Sequence, residues 1–257
     1  MKCIINGQVL EVDSIDRKWY GTDYFYEVIR IVEGKPLFLK EHYERLENGI
    51  GQFNERDLTK SIDKLIMAVD SLISQNIYLS IHKENKEYVM FFNPSFYPPK
   101  SWYQKGIWVP LIEMEREDPN NKIFREEYKK RIKEELEAKK AFEGLLVSNG
   151  TIKEGSRSNV FFIKNSTIYT PYTSKVLPGI TRRKVCEACK RKEITIVETD
   201  INIQDLEQYE GVFITGTSLD LLPISGIENF KFDTVNNRIF KVLFNEYNLL
   251  KEFDLNK

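Results

Sequence analysis

Three short stretches in the second half of the chain have the residue types needed to hold a small anionic ligand. Leu177-Pro178-Gly179-Ile180-Thr181-Arg182 runs from a turn into a helical pattern, and the exposed N–H groups of a helix start bind anions. Gly179 and Ile180 would offer backbone donors and Thr181 a hydroxyl, although Thr181 could serve only as a helix cap. Thr215-Gly216-Thr217 follows the apolar run Val212-Phe213-Ile214, so Thr217 could add a hydroxyl from a facing loop. Glu154-Gly155-Ser156-Arg157-Ser158-Asn159 sets a carboxylate beside small residues that let backbone approach a ligand closely. Alone, a Glu-Gly pair reads as an ordinary turn. In a chain with 38 Lys+Arg, a single lysine carries no information by type.

Taken with Lys122 and Arg45, these stretches resemble the pyridoxal-phosphate site of the fold-type IV aminotransferases. That family holds branched-chain aminotransferases, D-amino acid aminotransferases and aminodeoxychorismate lyases. The resemblance runs from about residue 2 to residue 225 and is densest between Ala141 and Pro223. It implies an α+β, two-domain fold with the cofactor at the domain interface. It further implies that Lys122, whose interval to Glu154 matches the family's, carries the cofactor as a Schiff base and moves protons. Glu154 would pair with the pyridine nitrogen, with Ser156, Ser158 and Asn159 on the same segment. Leu177 would pack on one face of the ring. Arg45, Gly179, Ile180, Thr181 and Thr217 would hold the phosphate. A lysine suits this task because partial burial near a cation lowers its pKa and leaves a neutral amine to act as base.

The implied activity is transfer of an amino group between an amino acid and a 2-oxo acid. A pyruvate-eliminating lyase and a cofactor-binding protein that has lost catalysis are the rival readings. Relatives are commonly homodimers, so a homodimer is expected.

The chain departs from the family pattern in three places, one of them at a tyrosine that in the family lies near the cofactor's ring hydroxyl. Family members show Y-G-D-G-x-F-E, whereas this chain has Tyr20-Gly21-Thr22-Asp23-Tyr24-Phe25-Tyr26-Glu27. Tyr20 and Tyr26 are the resulting substrate-pocket candidates. Many members place a tyrosine five positions after the lysine; here that position is Glu127, with Tyr128 one later. The arginine of a V-T-R-G-like strand is missing from Leu79-Ser80-Ile81-His82-Lys83, so His82 or Lys83 would replace it or simply face solvent. Ser218, beside Thr217, completes the substrate candidates. His42 reads as a residue that orders its helix rather than a base.

Composition narrows the class. With 41% hydrophobic and 30% charged residues the chain resembles an ordinary globular protein. The balance of 38 basic against 39 acidic residues gives no excess for nucleic acid or anionic membrane. No apolar run approaches the roughly 20 residues of a membrane span, and a cytoplasmic location is expected. Cys186-Glu187-Ala188-Cys189 is formally a C-x-x-C motif. With only His42 and His82 as histidines, it reads as helix packing rather than redox or zinc chemistry, and no metal is expected.

The elements that must position these residues follow from periodicity and turns. Asn6-Gly7 predicts a hairpin, and Glu33-Gly34 predicts a second between Tyr24 and Leu39. Helices are expected over Lys40–Asn48 and Leu58–Gln75, with strands at Ile77–His82 and Tyr88–Asn93. A strand at Gly106–Ile112 and a loop to Pro119 would join a domain 1–105 to a domain 121–257, with 106–120 as the connection. Beyond it a helix is expected over Phe124–Phe142, then a sheet from Leu145 and a hairpin Val160–Tyr169. A helix over Thr181–Arg191, strands at Ile194–Val197 and Val212–Ile214, and a closing helix Val235–Phe253 complete the pattern.

Overall fold

The computed structural model describes residues 1–70 and 72–257, which form a mixed α+β architecture. They group into two compact units. The first is Met1–Phe96 with Asn121–Glu126 and Lys251–Lys257; the second is Tyr97–Asn120 with Glu127–Leu250.

The first unit carries an antiparallel sheet of β1 (Lys2–Ile5), β2 (Gln8–Glu11), β3 (Tyr24–Val32), β4 (Lys35–Pro36), β5 (Asn76–His82) and β6 (Tyr88–Asn93), in the order β2-β1-β6-β5-β3-β4. Its first turn is Asn6-Gly7, both at positive φ, as the expected hairpin requires. Two helices follow, α1 (Leu39–Ile50) and α2 (Glu55–Val69). Alternation along the strands sorts the sheet into two faces. Phe25, Ile29, Ile31, Ile77, Leu79, Met90 and Phe92 cluster with Leu46 of α1 and Ile62 and Leu65 of α2. Tyr26, Tyr78, Val89 and Phe91 cluster separately with Cys3 and Trp19.

The expected helix Leu58–Gln75 is shorter than its apolar spacing suggested. It ends at Val69, where Asp70 turns extended and its Oδ1 accepts the Leu72 N–H at 3.0 Å. Local bonding of an aspartate side chain competes with helix continuation. Val69 and Leu72 are exposed, whereas Ile73 packs on the core. Ser71, inside the expected span, lies outside the described residues.

The second unit holds α3 (Lys100–Lys105), β7 (Ile107–Val109), β8 (Leu111–Glu113), most of α4 (Glu126–Ala138), β9 (Leu145–Ser148), β10 (Thr151–Gly155), β11 (Asn159–Lys164), β12 (Thr167–Thr170), α5 (Ile180–Arg191), β13 (Ile196–Glu198), β14 (Ile201–Asn202), β15 (Gly211–Gly216), β16 (Asp220–Ile227), β17 (Phe230–Lys231) and most of α6 (Arg238–Leu255). One sheet runs β14-β10-β9-β8, and the other β13-β12-β11-β15-β16-β17 with β7 on β16. The single strand expected over Gly106–Ile112 is therefore two. Pro110 lacks an N–H and breaks it, so β7 pairs with β16 while β8 pairs with β9. Among the described residues, no helix is long and apolar enough to cross a membrane.

Candidate active site

Lys122 sits on a short segment pinned to β3. The Tyr26 N–H donates to the Lys122 carbonyl at 3.0 Å, and Phe25 forms an isolated bridge with Ile123. The Lys122 Nζ lies 4.6 Å from the centroid of the Tyr26 ring. Tyr26 stacks on Tyr78 with centroids 5.3 Å apart, and Tyr20 lies 5.7 Å from Tyr78 and 5.2 Å from Phe124. Two of the substrate candidates, Tyr20 and Tyr26, thus share an aromatic wall with the lysine. Tyr78 was missed. Its buried hydroxyl has no partner among the described residues, and burial raises its pKa strongly, with Tyr26 adding to the effect.

The next residue along β3 faces the other way. Glu27 points to the helix-covered side, where Arg45 Nε donates to its Oε1 at 2.7 Å and His42 Nδ1–H donates to its Oε2 at 2.7 Å. Burial alone would raise the Glu27 pKa, but Arg45 and the His42 hydrogen bond bring it well below the ordinary carboxylate value. His42 is driven the other way from a switch-like imidazole: burial lowers its pKa, Glu27 opposes this, and Arg45 and Lys122 lower it further. Its role is to order α1 against β3.

In the second unit, Glu154 is aimed by a β-bulge. Ile152 pairs with Val147 and Gly155 with Leu145, so Lys153 and Glu154 together oppose Leu146. Such bulges re-aim side chains. Asn149 and Gly150, both at positive φ, make the β9–β10 turn that leads into it. The resulting carboxylate is 3% exposed. Its Oε2 accepts the Leu177 N–H at 3.2 Å, and its Oε1 lies 3.3 Å from Arg116 Nη1.

Leu177 also accepts, from Asn159 Nδ2 at 2.9 Å. One residue thereby ties Glu154 to Asn159 and to the start of α5. Two glycines allow the closeness. A Cβ on Gly155 would lie 1.9 Å from Ser158 Oγ, and one on Gly179 would lie 2.1 Å from Asn159 Oδ1. Gly179 is the N-cap of α5 and offers no capping side chain, while Ile180 and Thr181 are buried in the first turn. Thr217 and Ser218 are half-buried in the turn between β15 and β16.

Buried hydroxyls gather at the same place. Asn159 pairs with Thr215 across the β11–β15 ladder, and neither Ser158 Oγ nor Thr215 Oγ1 has a partner among the described residues. Unpaired buried polar atoms are costly, which suits atoms reserved for a ligand. Thr215 was overlooked as a donor, although a hydroxyl ending the apolar run Val212–Ile214 was its signal. Ser156 is committed elsewhere: its hydroxyl and N–H donate to Glu143, a fully buried carboxylate that also accepts from Gly144 N. Nothing in the sequence around Glu143 marked it.

His82 Nδ1 accepts from Glu84 N at 3.2 Å and Asn85 N at 3.4 Å, so it shapes the β5–β6 turn. Tyr128 packs against Arg116, whose guanidinium carbon is 5.9 Å from the ring centroid. Cys186 and Cys189 lie on α5 with thiol pKa values raised by burial, Cys189 to about 12, as packing residues would be. Among the described residues no group of three or more His, Cys, Asp and Glu could hold a metal ion.

The donor set fits a phosphorylated pyridine aldehyde. An acid braced at Glu154, a glycine-lined helix start at Gly179 and orphaned hydroxyls at Ser158 and Thr215 match a protonated ring nitrogen and a phosphate.

The chain is 29% identical over 254 residues to the D-alanine aminotransferase of Bacillus licheniformis, covering 89% of each. It has the fold of the Thermoproteus uzoniensis branched-chain aminotransferase solved with norvaline, at 18% identity and a TM-score of 0.83, covering 96% of this chain and 93% of the other. A Legionella pneumophila chain provisionally assigned as a 4-amino-4-deoxychorismate lyase matches at 22% identity and a TM-score of 0.78, covering 91% and 93%. Residues 24–227 match the family model for amino-transferase class IV. With most of its length matched, this chain belongs to the class IV amino-transferase family.

Proposed function

We propose that the protein is a pyridoxal-phosphate-dependent aminotransferase that moves an amino group between an amino acid and a 2-oxo acid, with Lys122 as its catalytic residue. When bound, the cofactor supplies an electron sink for a carbanion at the substrate's α carbon. Glu154 would keep the ring nitrogen protonated through a buried ion pair, and Leu177 would cover one ring face. Arg45, Gly179, Ile180, Thr181 and Thr217 would hold the phosphate, with Ser158 and Asn159 completing the wall and Ser156 fixing the turn through Glu143. The Lys122 amine would take the substrate's α proton and return it to the carbon that was the cofactor's aldehyde, on the far side of the amino nitrogen. Tyr20 and Tyr26, beside that amine, would meet the substrate.

The observation that carries this reading is the Leu177 joint, where one residue donates to Glu154 and accepts from Asn159 directly ahead of the α5 start. Acid and anion seat are built as one piece, which an ordinary turn does not require. A screen of L- and D-amino acids, with aminodeoxychorismate included, tests it. A change in cofactor absorbance with an amino acid donor, and keto acid release, is expected. Pyruvate formed from aminodeoxychorismate without an acceptor would favour the lyase instead. A bound cofactor unaltered by any amine would leave only a binding protein. We also infer a cytoplasmic homodimer. The family's habit supports the dimer, and three free cysteines suit a reducing compartment. Light scattering checks the oligomeric state.

A further inference from the structure

Arg116 is the one basic residue in the acidic run from Glu113 to Asp118, and its side chain is turned inward rather than toward solvent. It is 13% exposed and lies 3.3 Å from Glu154, whose side chain is 3% exposed. Both residues line one cleft, together with Leu146 and Lys153. Tyr128 flanks the guanidinium and is itself packed on Ile112, Met114, Ile132 and Leu146. Glu154 is therefore held from two directions, Oε1 by Arg116 and Oε2 by the Leu177 N–H.

We propose that Arg116 is a positioning residue that fixes Glu154 as an anion in the orientation facing the ring nitrogen, and so sets where the ring proton resides. The proposal rests on the reading of Glu154 given above. A carboxylate and a basic nitrogen in a dry site can exchange their charges for a neutral pair, with the proton on the acid, because burying separate charges is costly. Arg116 opposes that collapse. A guanidinium does not lose its proton, and it touches the carboxylate directly. A ring bonded to Glu154 has the carboxylate between itself and Arg116. Coulomb energy falls with distance, so the cation favours the carboxylate anion more than it disfavours a charged ring. Arg116 Nη1 on Oε1 and the Leu177 N–H on Oε2 together restrict the carboxylate's rotation. Tyr128 contributes a wall beside the guanidinium.

The test uses holoenzyme reconstituted with pyridoxal phosphate carrying nitrogen-15 in its ring. R116Q should weaken cofactor affinity at least tenfold and move the ring-nitrogen resonance toward that of neutral pyridine. R116K should recover part of both, and it replaces R116Q should the latter fail to fold. E154Q removes the group through which Arg116 acts, so R116Q/E154Q should equal E154Q on both readouts. An Arg116 variant with the wild-type resonance and affinity overturns the proposal. So does an affinity loss that adds in full to that of E154Q, since general packing would behave that way. Wild-type protein that takes up no cofactor would instead remove the reading of the whole site, and this inference with it.

Discussion

Arg45 grips Glu27 with two nitrogens: its Nε donates to Oε1 at 2.7 Å and its Nη2 donates to Oε2. The carboxylate side chain is 2% exposed and the guanidinium 11%. The contact joins α1 to the middle of β3 and sets the direction of the arginine expected to meet a phosphate. It also divides labour on β3, where Tyr26 faces Lys122 while Glu27 faces α1.

Glu27→Gln should destabilise the protein by about 3 kcal/mol, because breaking one partner of a buried pair strands the other charge. Chemical denaturation of the cofactor-free protein checks it. An unchanged midpoint would mean that the pair contributes little to folding.

Arg45→Ala should weaken cofactor binding roughly tenfold or more, given the usual contribution of about 1.5–3 kcal/mol from a hydrogen bond to a charged group. Activity should return in part at excess cofactor. Loss that no cofactor concentration restores would assign Arg45 a structural role only.

Acid should erode stability over two successive pH ranges. Burial holds the His42 pKa below its ordinary 6.5, so below that pH the unfolded chain takes a proton that the folded one refuses. Stability from this residue is complete above 6.5 and falls beneath it. Glu27 is lowered from 4.5, so its contribution is complete above 4.5 and is lost further into acid. Each proton sets a slope of at most about 1.4 kcal/mol per pH unit. Unfolding free energy measured from pH 8 to 4 should show the first limb, and His42→Gln should remove it. A flat profile between pH 6.5 and 5 in the parent protein would contradict the His42 assignment.

Gly179→Ala should cost about 1–3 kcal/mol by overpacking, because its Cβ would lie 2.1 Å from Asn159 Oδ1. Moving Asn159 breaks its bond to Leu177, so cofactor affinity should fall with stability. Binding titrations and thermal melts separate the two effects. Full affinity in this variant would argue against Asn159 and Leu177 as parts of the seat.

Much of this is legible in the sequence because the signals are local. Asn6-Gly7 made its hairpin, the apolar spacing of Ile62, Leu65 and Ile66 made α2, and Glu154 and Gly179 stood in stretches whose small residues had a purpose. The helix beyond Val69 was misjudged because Asp70 bonds its own neighbourhood, which apolar spacing ignores. Pro110 split a strand between two sheets, a choice made by tertiary pairing. Asn149-Gly150 was a legible turn that went unread, and with it the strand and bulge presenting Glu154. Arg116, Glu143 and Tyr78 escaped because their importance lies in what they touch across long sequence separations. Isolated charged or aromatic residues in sequence look alike until packing chooses among them.

The central claim is covalent attachment at one lysine. Incubating the protein with pyridoxal phosphate, reducing with borohydride and mapping the digested peptides by mass spectrometry should place the phosphopyridoxyl group on Lys122. The same treatment of Lys122→Ala should leave cofactor bound without a covalent adduct and turnover reduced by orders of magnitude. A label found on another lysine, or full activity in the alanine variant, would contradict the account.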